Sequence, residues 1–322
     1  MIILQLAGGL GNQMFQYALY LQLKSLGREV KIDDVSGFVQ DTQRKPALAP
    51  FGITYGRPDK KELQKMLDSS MLPWDRVRRK LFGRHKKAYF EESKLFLPKI
   101  LEWDDIYLEG YWQSEKYFWK NGDLLRRVYD TNKLVQYLLQ KGVWERCIEG
   151  QKSAAQYAMG INNTCSVSVH VRRGDYLTPE NQALFGGICT EAYYMEGMRL
   201  MRERYPGCSF YLFCNDKDWA RENFAGQEDV TLVDLPGSGE DSVDGEMDLA
   251  YAEFVLMSRC KHHILANSSF SWWASYLNAN PDKTVLVPDT WLNGTDCRDF
   301  YREDMQKIAS VIKNEKESVV YE

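Results

Sequence analysis

The sequence predicts an α/β protein of two domains, each built on a parallel sheet. Three observations predict it. Short apolar runs alternate with helix-length amphipathic segments along most of the chain. Several of those runs end in glycines, arginines or small polar residues, and a helical pattern follows. The intervening helices are long enough to return the chain for parallel pairing. A length of 322 residues suits two domains of roughly 150 residues each.

MIILQL opens the chain as a strand, because it lacks the basic leader of a signal peptide. AGGLGNQ (7–13) follows as a glycine loop. Met14, Phe15, Ala18, Leu19, Leu21, Leu23 and Leu26 then give a helix a broad apolar face, and Gly27 closes it. EVKID reads as the second strand. Residues 57–87 change character, with eleven Lys or Arg against four Asp or Glu. They read either as a solvated helical hairpin or, through 74–87, as a basic face resting on an anionic membrane. IYLEGYWQSEKYF (106–118) is a strand and turn rich in aromatics, and 131–160 supplies one or two helices.

A first domain is therefore expected over 1–155, with its boundary inside 150–162, and a second over 156–300. The second domain repeats the alternation. CSVSVHV leads to a helix near 190–204, and SFYLFCND to one near 216–224. VTLVDL leads through the acidic loop GSGEDSVDGEMD to a helix near 247–260. HHILA leads to a helix from about 269, and TVLVP is a last strand. A terminal helix over 301–315 and a tail to 322 complete the expectation. Two such domains facing each other would hold a ligand outside the carboxyl ends of their strands.

Composition excludes several classes of function. A 44% hydrophobic and 27% charged chain of net charge −4 is ordinary for a globular protein and carries no nucleic-acid footprint. No apolar run approaches the ~18–20 residues of a membrane span. Seven cysteines without a CxxC pair argue against a disulfide framework or zinc site and for reduced thiols in the cytoplasm. The four histidines have no metal-ligand spacing with carboxylates.

The chemistry-bearing stretches lie at strand ends. Gly8, Gly9 and Gly11 of the first loop let backbone approach a ligand, and the helix beginning there offers N–H groups to an anion. A tight strand-to-helix turn explains the same glycines. HVRRGD (170–175) delivers Arg172 and Arg173 side by side. Guanidinium forks match phosphate or carboxylate oxygens. Successive strand residues point to opposite faces, so one arginine is expected to face the ligand and the other the scaffold, with Asp175 as its partner. Asn267, Ser268 and Ser269 end another strand as caps of a helix carrying Phe270. Asn215 and Asp216 end a fourth; Asp216 with Asp218 matches a DxD metal motif but reads better as a helix cap. Three anion-suited strand ends together suit a pyrophosphate.

GGLGNQMFQYA, EGYWQSEKYF, HVRRGDY, FCND and LMSRCKHHILANSSFSWWASYL occur in that order. The ordered set resembles the α-1,2-fucosyltransferases of glycosyltransferase family 11, over roughly residues 1–300. The resemblance implies a GT-B-like fold, two Rossmann-like α/β domains facing a central cleft, with GDP-L-fucose as donor substrate and no metal or other cofactor. It implies that Arg172 holds the diphosphate with His170 near the nucleotide, and that Ser268, Ser269 and Phe270 close on phosphates and base. Asn12 would face the donor. Glu253, where the family pattern leads one to expect aspartate, would read the guanine, with Asp248 as the alternative.

The implied reaction is inverting transfer of fucose to the 2-hydroxyl of a terminal galactose. Arg172, Asp175 and His170 are the expected catalytic residues, and Asp175, His170 and Glu109 the candidate bases, unless no dedicated base exists. Tyr111, Trp112 and Gln113 suit stacking and hydrogen bonding to the galactose-terminated acceptor, or a place in the core. The rivals are another nucleotide-sugar transferase and a non-enzymatic carbohydrate-binding protein.

Overall fold

The computed structural model describes residues 1–173, 178–224, 226–237 and 243–310, with Glu180 and Val243 by backbone only. The chain divides into two compact units, Met1–Lys133 with Arg298–Phe300, and Leu134–Cys297 with the residues from Tyr301 onward.

In the first unit, β1 (Ile2–Gln5), β2 (Val30–Asp33), β3 (Ala88–Phe90) and β4 (Ile106–Glu109) form a sheet in the order β2-β1-β4-β3. All pairs are parallel, with Ile2 opposite both Val30 and Ile106. Ile2, Ile3 and Leu4 are wholly buried, as the centre of a sheet covered on both faces requires. Helix α1 (Leu10–Ser25) connects β1 to β2 and buries Met14, Phe15, Ala18, Leu19 and Leu23. Helix α2 (Lys60–Leu67) starts in a capping box of Asp59 and Glu62 and buries Met66 near Ile3 and Tyr107. Helix α3 (Pro73–Phe82) follows, then α4 (Gly122–Val128) after β4. Asp299 belongs to this unit: it accepts from the Phe96 amide at 2.7 Å and pairs with Lys116.

The second unit contains α5 (Thr131–Gln140, whose first turn lies in the first unit) and α6 (Ala154–Asn163). Next come β5 (Ser166–Val171), α7 (Pro179–Phe185), α8 (Glu191–Arg204), β6 (Ser209–Cys214), α9 (Lys217–Phe224) and β7 (Val230–Leu232). Helix α10 (Val243–Arg259), β8 (His262–Ile264), α11 (Ser269–Leu277), β9 (Val285–Pro288) and β10 (Met305–Ile308) complete it. The sheet is parallel throughout, in the order β10-β9-β8-β5-β6-β7. Val167, Val169 and Val171 pack with Tyr193, Tyr194 and Met198 of α8.

The structure corrects three readings. Strand β5, whose alternation of polar and apolar residues predicts a half-buried strand, is buried along its whole length. Its two serines are satisfied internally: the Ser166 hydroxyl accepts from the Lys261 amide at 3.2 Å, and Ser168 shares a 2.8 Å hydrogen bond with His263. The division falls at Lys133/Leu134, not near 155, because the helices after it pack within the second unit. Tyr137 of α5 donates to Asp248 of α10 at 2.8 Å and meets Tyr251 edge-on. Finally, the expected helix over 301–315 contains β10 instead, paired with β9 from Met305–Val285 to Ile308–Pro288. The backbone of β9 offers those residues a ladder, and pairing outweighs their helical pattern. Residues 311–322 lie outside the described part.

Asp248 is buried, and the Tyr137 hydroxyl supplies its hydrogen bond. Tyr137→Phe is therefore expected to lower unfolding free energy by about 1–3 kcal/mol, the cost of leaving a buried acceptor unsatisfied. Urea denaturation followed by tryptophan fluorescence measures it.

Candidate active site

The six-stranded sheet changes direction between β5 and β8. From β5 the chain proceeds outward through β6 to β7, then returns to the other side of β5 and continues through β8 and β9 to β10. Connections on the two sides leave a crevice at the carboxyl ends of the strands where the order reverses. Arg172 and Arg173 follow the end of β5, and Asn267 and Ser268 precede α11 after β8. Two of the three strand ends expected to suit an anion, those after β5 and β8, therefore lie at this switch point. The His170 and Phe270 rings, one from each side of it, lie 5.8 Å apart.

The two arginines have different fates. The Arg173 amide donates to Asn215 Oδ1 at 3.0 Å, and its Nε to Asp216 Oδ2 at 3.3 Å. Its guanidinium lies 4.3 Å from the Trp219 ring centroid, in cation–π range. Arg173 is thus the scaffold arginine, with Asp216 and Trp219 of the α9 region as its described partners. Asp175, the partner expected from sequence and an expected catalytic residue, lies outside the described residues. Asp216 also accepts from the Trp219 amide at 3.1 Å, which is the capping role read from sequence. Asp218 is 91% exposed and pairs with Arg221. Among the described residues, no cluster of three or more His, Cys, Asp or Glu is arranged to hold a metal.

Arg172 is half-buried immediately after β5. Burial, and secondarily the Arg172 charge, push the His170 pKa down to about 3. His170 is accordingly neutral at physiological pH. Only 7% of it is exposed, and its Nδ1 has no hydrogen-bond partner among the described residues. A buried polar atom left this way is unusual in a scaffold and common where a ligand completes the bond.

Opposite, Ser268 caps α11 by accepting from the Phe270 amide at 3.3 Å. Phe270 packs against Phe254 at 5.2 Å. Asn267 donates to the Trp291 carbonyl at 3.1 Å and accepts from the Cys189 thiol at 3.5 Å, so its amide also shapes the strand end. Ser269 begins the helix, half-buried. Of the two guanine candidates, Glu253 belongs to this end of the sheet: it accepts from Lys217 Nζ at 3.0 Å, and Lys217 also donates to the carbonyl of Val233. Asp248 is engaged by Tyr137 instead.

The first unit has its own reversal, between β1 and β4. The glycine loop leaves β1 and residues 110–113 leave β4. Gly8, not Gly9 or Gly11, carries the conformational demand, with φ +74° and a Cβ position 2.8 Å from Asn12 Nδ2. Gly9 adopts ordinary extended backbone as the cap of α1, while Gly11 is buried in its first turn. Gln13 donates to the Gly8 and Lys45 carbonyls and accepts from the Ala47 amide, and Gln16 ties the Ala7 amide to the Gly110 carbonyl. Gln113 donates to Asn12 Oδ1 at 2.6 Å, which joins two expected site residues.

The turn after β4 depends on Glu91, which sequence reading missed because nothing distinguishes a lone glutamate. Its carboxylate accepts from the amides of Tyr111 and Trp112 at 3.0 and 3.1 Å, and pairs with Lys94. These bonds hold Trp112 at φ +55°, a left-handed conformation costly for a bulky residue. The Trp112 ring is 1% exposed and packs against Tyr89 and Tyr117. It is a core residue, the second of the two places the sequence leaves open for it. Tyr111 is half-buried, with Lys94 Nζ 5.6 Å from its ring.

His170 is not alone in resisting protonation. Burial, aided by Arg204 and Lys261, pulls the His262 pKa to about 4, and burial takes His263 well below its ordinary value. The unfolded chain binds protons at these histidines below about pH 6.5, whereas the fold refuses them until lower pH. Stability is therefore expected to fall as pH drops from 6.5 toward 4. Urea midpoints measured between pH 7.5 and 4.5 check this; a flat profile would contradict neutral buried imidazoles.

The glycosyl transferase family 11 profile matches residues 1–309. The O-antigen biosynthesis glycosyltransferase WbnK of Escherichia coli is 30% identical over 309 residues, covering 90% of this chain and 95% of that protein. An α-1,2-colitosyltransferase of Escherichia coli is 28% identical, covering 93% and 95%. The galactoside α-(1,2)-fucosyltransferase 1 of Aotus azarae is 36% identical over 282 residues, covering 87% of this chain and 66% of that protein. The fold of a match over residues 1–309 includes both sheets and both strand-order reversals: the chain belongs to glycosyl transferase family 11.

Proposed function

We propose that the protein transfers L-fucose from GDP-β-L-fucose to the 2-hydroxyl of a terminal galactose, with inversion and without a metal. The observation that carries this reading is Arg172 beside the neutral, incompletely bonded His170, across the switch point from the amino end of α11. Relatives whose names specify α-1,2 transfer support the linkage.

In this reading the second unit binds the nucleotide. Arg172 and the α11 N-terminus, with Ser268 and Ser269, meet the diphosphate, and Phe270 lies against the base or ribose. Glu253 accepts from the guanine, exchanging or sharing its bond with Lys217. As the anomeric C–O bond breaks, negative charge grows on the β-phosphate while the sugar takes oxocarbenium character. A fixed guanidinium and helix dipole stabilise that charge without reorganising. The acceptor oxygen attacks from the opposite face and gives up its hydroxyl proton late, to the departing diphosphate or to water, so one displacement inverts the centre and neither a dedicated base nor a covalent enzyme intermediate is required. His170, held at a pKa of about 3, is too weak a base to remove the hydroxyl proton effectively. It serves as a neutral hydrogen-bonding contact through Nδ1. Asn12, Tyr111 and Gln113 of the first unit supply the polar and aromatic groups expected of a sugar contact.

The family relative named for colitose favours one second reading, in which colitose replaces fucose as the transferred sugar. A transferase of some other nucleotide sugar and a carbohydrate-binding protein lack a comparable observation.

The test mixes purified protein with GDP-fucose and a panel of β-galactosides in EDTA, then measures GDP release and product linkage. Galactoside-dependent GDP release with a 2-linked fucose is expected. Arg172→Ala should lower turnover at least ~100-fold with an unchanged urea midpoint. Turnover only with GDP-colitose would select the second reading. Near-normal turnover in Arg172→Ala would refute the phosphate assignment.

A further inference from the structure

Helix α3 is amphipathic, yet it points the wrong way for a helix of a soluble fold. Trp74, Val77 and Leu81 follow at i, i+3 and i+7 and form one apolar stripe. That stripe should be buried, but Trp74 is 84% exposed, Leu81 69% and Val77 50%. Met71, Leu72 and Phe82 at the two ends of the helix are exposed as well, and no α3 residue is buried.

The polar side is what faces the protein. Arg79 lies roughly 165° around the helix from the centre of the apolar stripe, at 100° per residue. Its side chain is 13% exposed, donates to the Ser70 carbonyl and lies 3.7 Å from Asp68. Arg78 forms an ion pair with the same carboxylate. The other Asp68 oxygen accepts from the His85 amide at 2.9 Å, just beyond the helix. Asp68 is itself 7% exposed and sits at φ +48° at the end of α2. One buried carboxylate therefore fixes α3 from its body and from its exit. That anchoring sets the rotation of the helix and holds the apolar stripe outward.

Charge identifies the occupant. Arg76 and Lys80 lie on the same helix and are exposed, and Arg84, Lys86 and Lys87, the last paired with Asp105, follow directly. Asp75 is the sole acid between 71 and 87, although the whole chain carries a net charge of −4. Positive charge is thus gathered around exposed tryptophan and aliphatic side chains on a convex helix. Tryptophan favours the boundary between headgroups and acyl chains, and flanking Lys and Arg favour anionic lipid. We propose that α3 docks the enzyme on an anionic bilayer surface, inserting Trp74, Val77 and Leu81 at the acyl boundary while the surrounding basic residues meet the headgroups. Of the two meanings open to 57–87 in the sequence, the outward stripe selects the membrane for α3; α2 is the conventional, inward-facing helix of the pair.

The test is cosedimentation of the full chain with phosphatidylcholine vesicles, with and without phosphatidylglycerol. Binding is expected only with the anionic lipid, and it should weaken as salt rises. The double substitution Trp74→Ser, Leu81→Ser should lower the partition coefficient at least ~10-fold, given the apolar area removed. Arg76→Glu with Lys80→Glu should do likewise. All four positions are exposed, and matching urea midpoints would verify retained fold. Absence of binding to anionic vesicles overturns the proposal, as does binding that both double variants retain. Concentration-dependent self-association that Trp74→Ser, Leu81→Ser abolishes, without vesicle binding, would assign the face to a second copy and overturn it too.

Discussion

The anchoring of Arg173 is the constraint on which the rest of the candidate site depends. A strand that ends in two adjacent guanidinium groups brings like charges to one place, at the end of a fully buried strand. Without compensation this would destabilise the fold. The Arg173 charge is met by the Asp216 carboxylate and the Trp219 face, while the Asn215 side-chain carbonyl holds its backbone amide. All three come from the end of β6 and the start of α9, the neighbouring strand–helix junction. Fixing Arg173 fixes the backbone of Arg172, one residue earlier. Arg172 then adds its charge beside His170, where burial is the larger cause of the depressed basicity and the guanidinium the smaller.

The two units use one device in different chemical dress. In each, a strand-order reversal leaves room at the carboxyl ends of two neighbouring strands, and side chains from both ends meet there. In the second unit they are His170 and Phe270, with Arg172 alongside. In the first they are Asn12 and Gln113. The supporting residues are equally telling. Gln13 and Gln16 satisfy loop carbonyls and amides from within α1, and Glu91 bonds consecutive amides of a strained turn. Loops built this way are rigid before any ligand arrives, which is what preorganised binding of charge requires.

Much of this was legible in the sequence, for identifiable reasons. Alternation in SVSVHV and the helical run after ANSS announced strand–helix junctions, and topology brought them together. The chemistry proposed for them rests on residue type. What stayed hidden depended on partners distant in sequence. Arg173 was matched with nearby Asp175, whereas its described carboxylate partner, Asp216, lies on the next strand's exit. Trp112 follows a strand as a sugar-stacking residue would, but its burial depends on Glu91, twenty-one residues earlier. The boundary was misplaced because α5 carries no linker composition; Tyr137 meeting Asp248 and Tyr251 reveals its allegiance. The edge strand β10 reads as helix because pairing with β9 is a tertiary fact. The outward stripe of α3 was invisible for the same reason, since periodicity defines a face without saying where it points.

Calorimetric titration of GDP in EDTA, into the unaltered chain and into Arg172→Ala, tests the central claim most directly. The account predicts one GDP per chain and at least ~10-fold weaker binding to the variant, the scale of a charged hydrogen bond removed from a phosphate. Equal affinity in the two proteins, or no GDP binding by the unaltered chain, would contradict it.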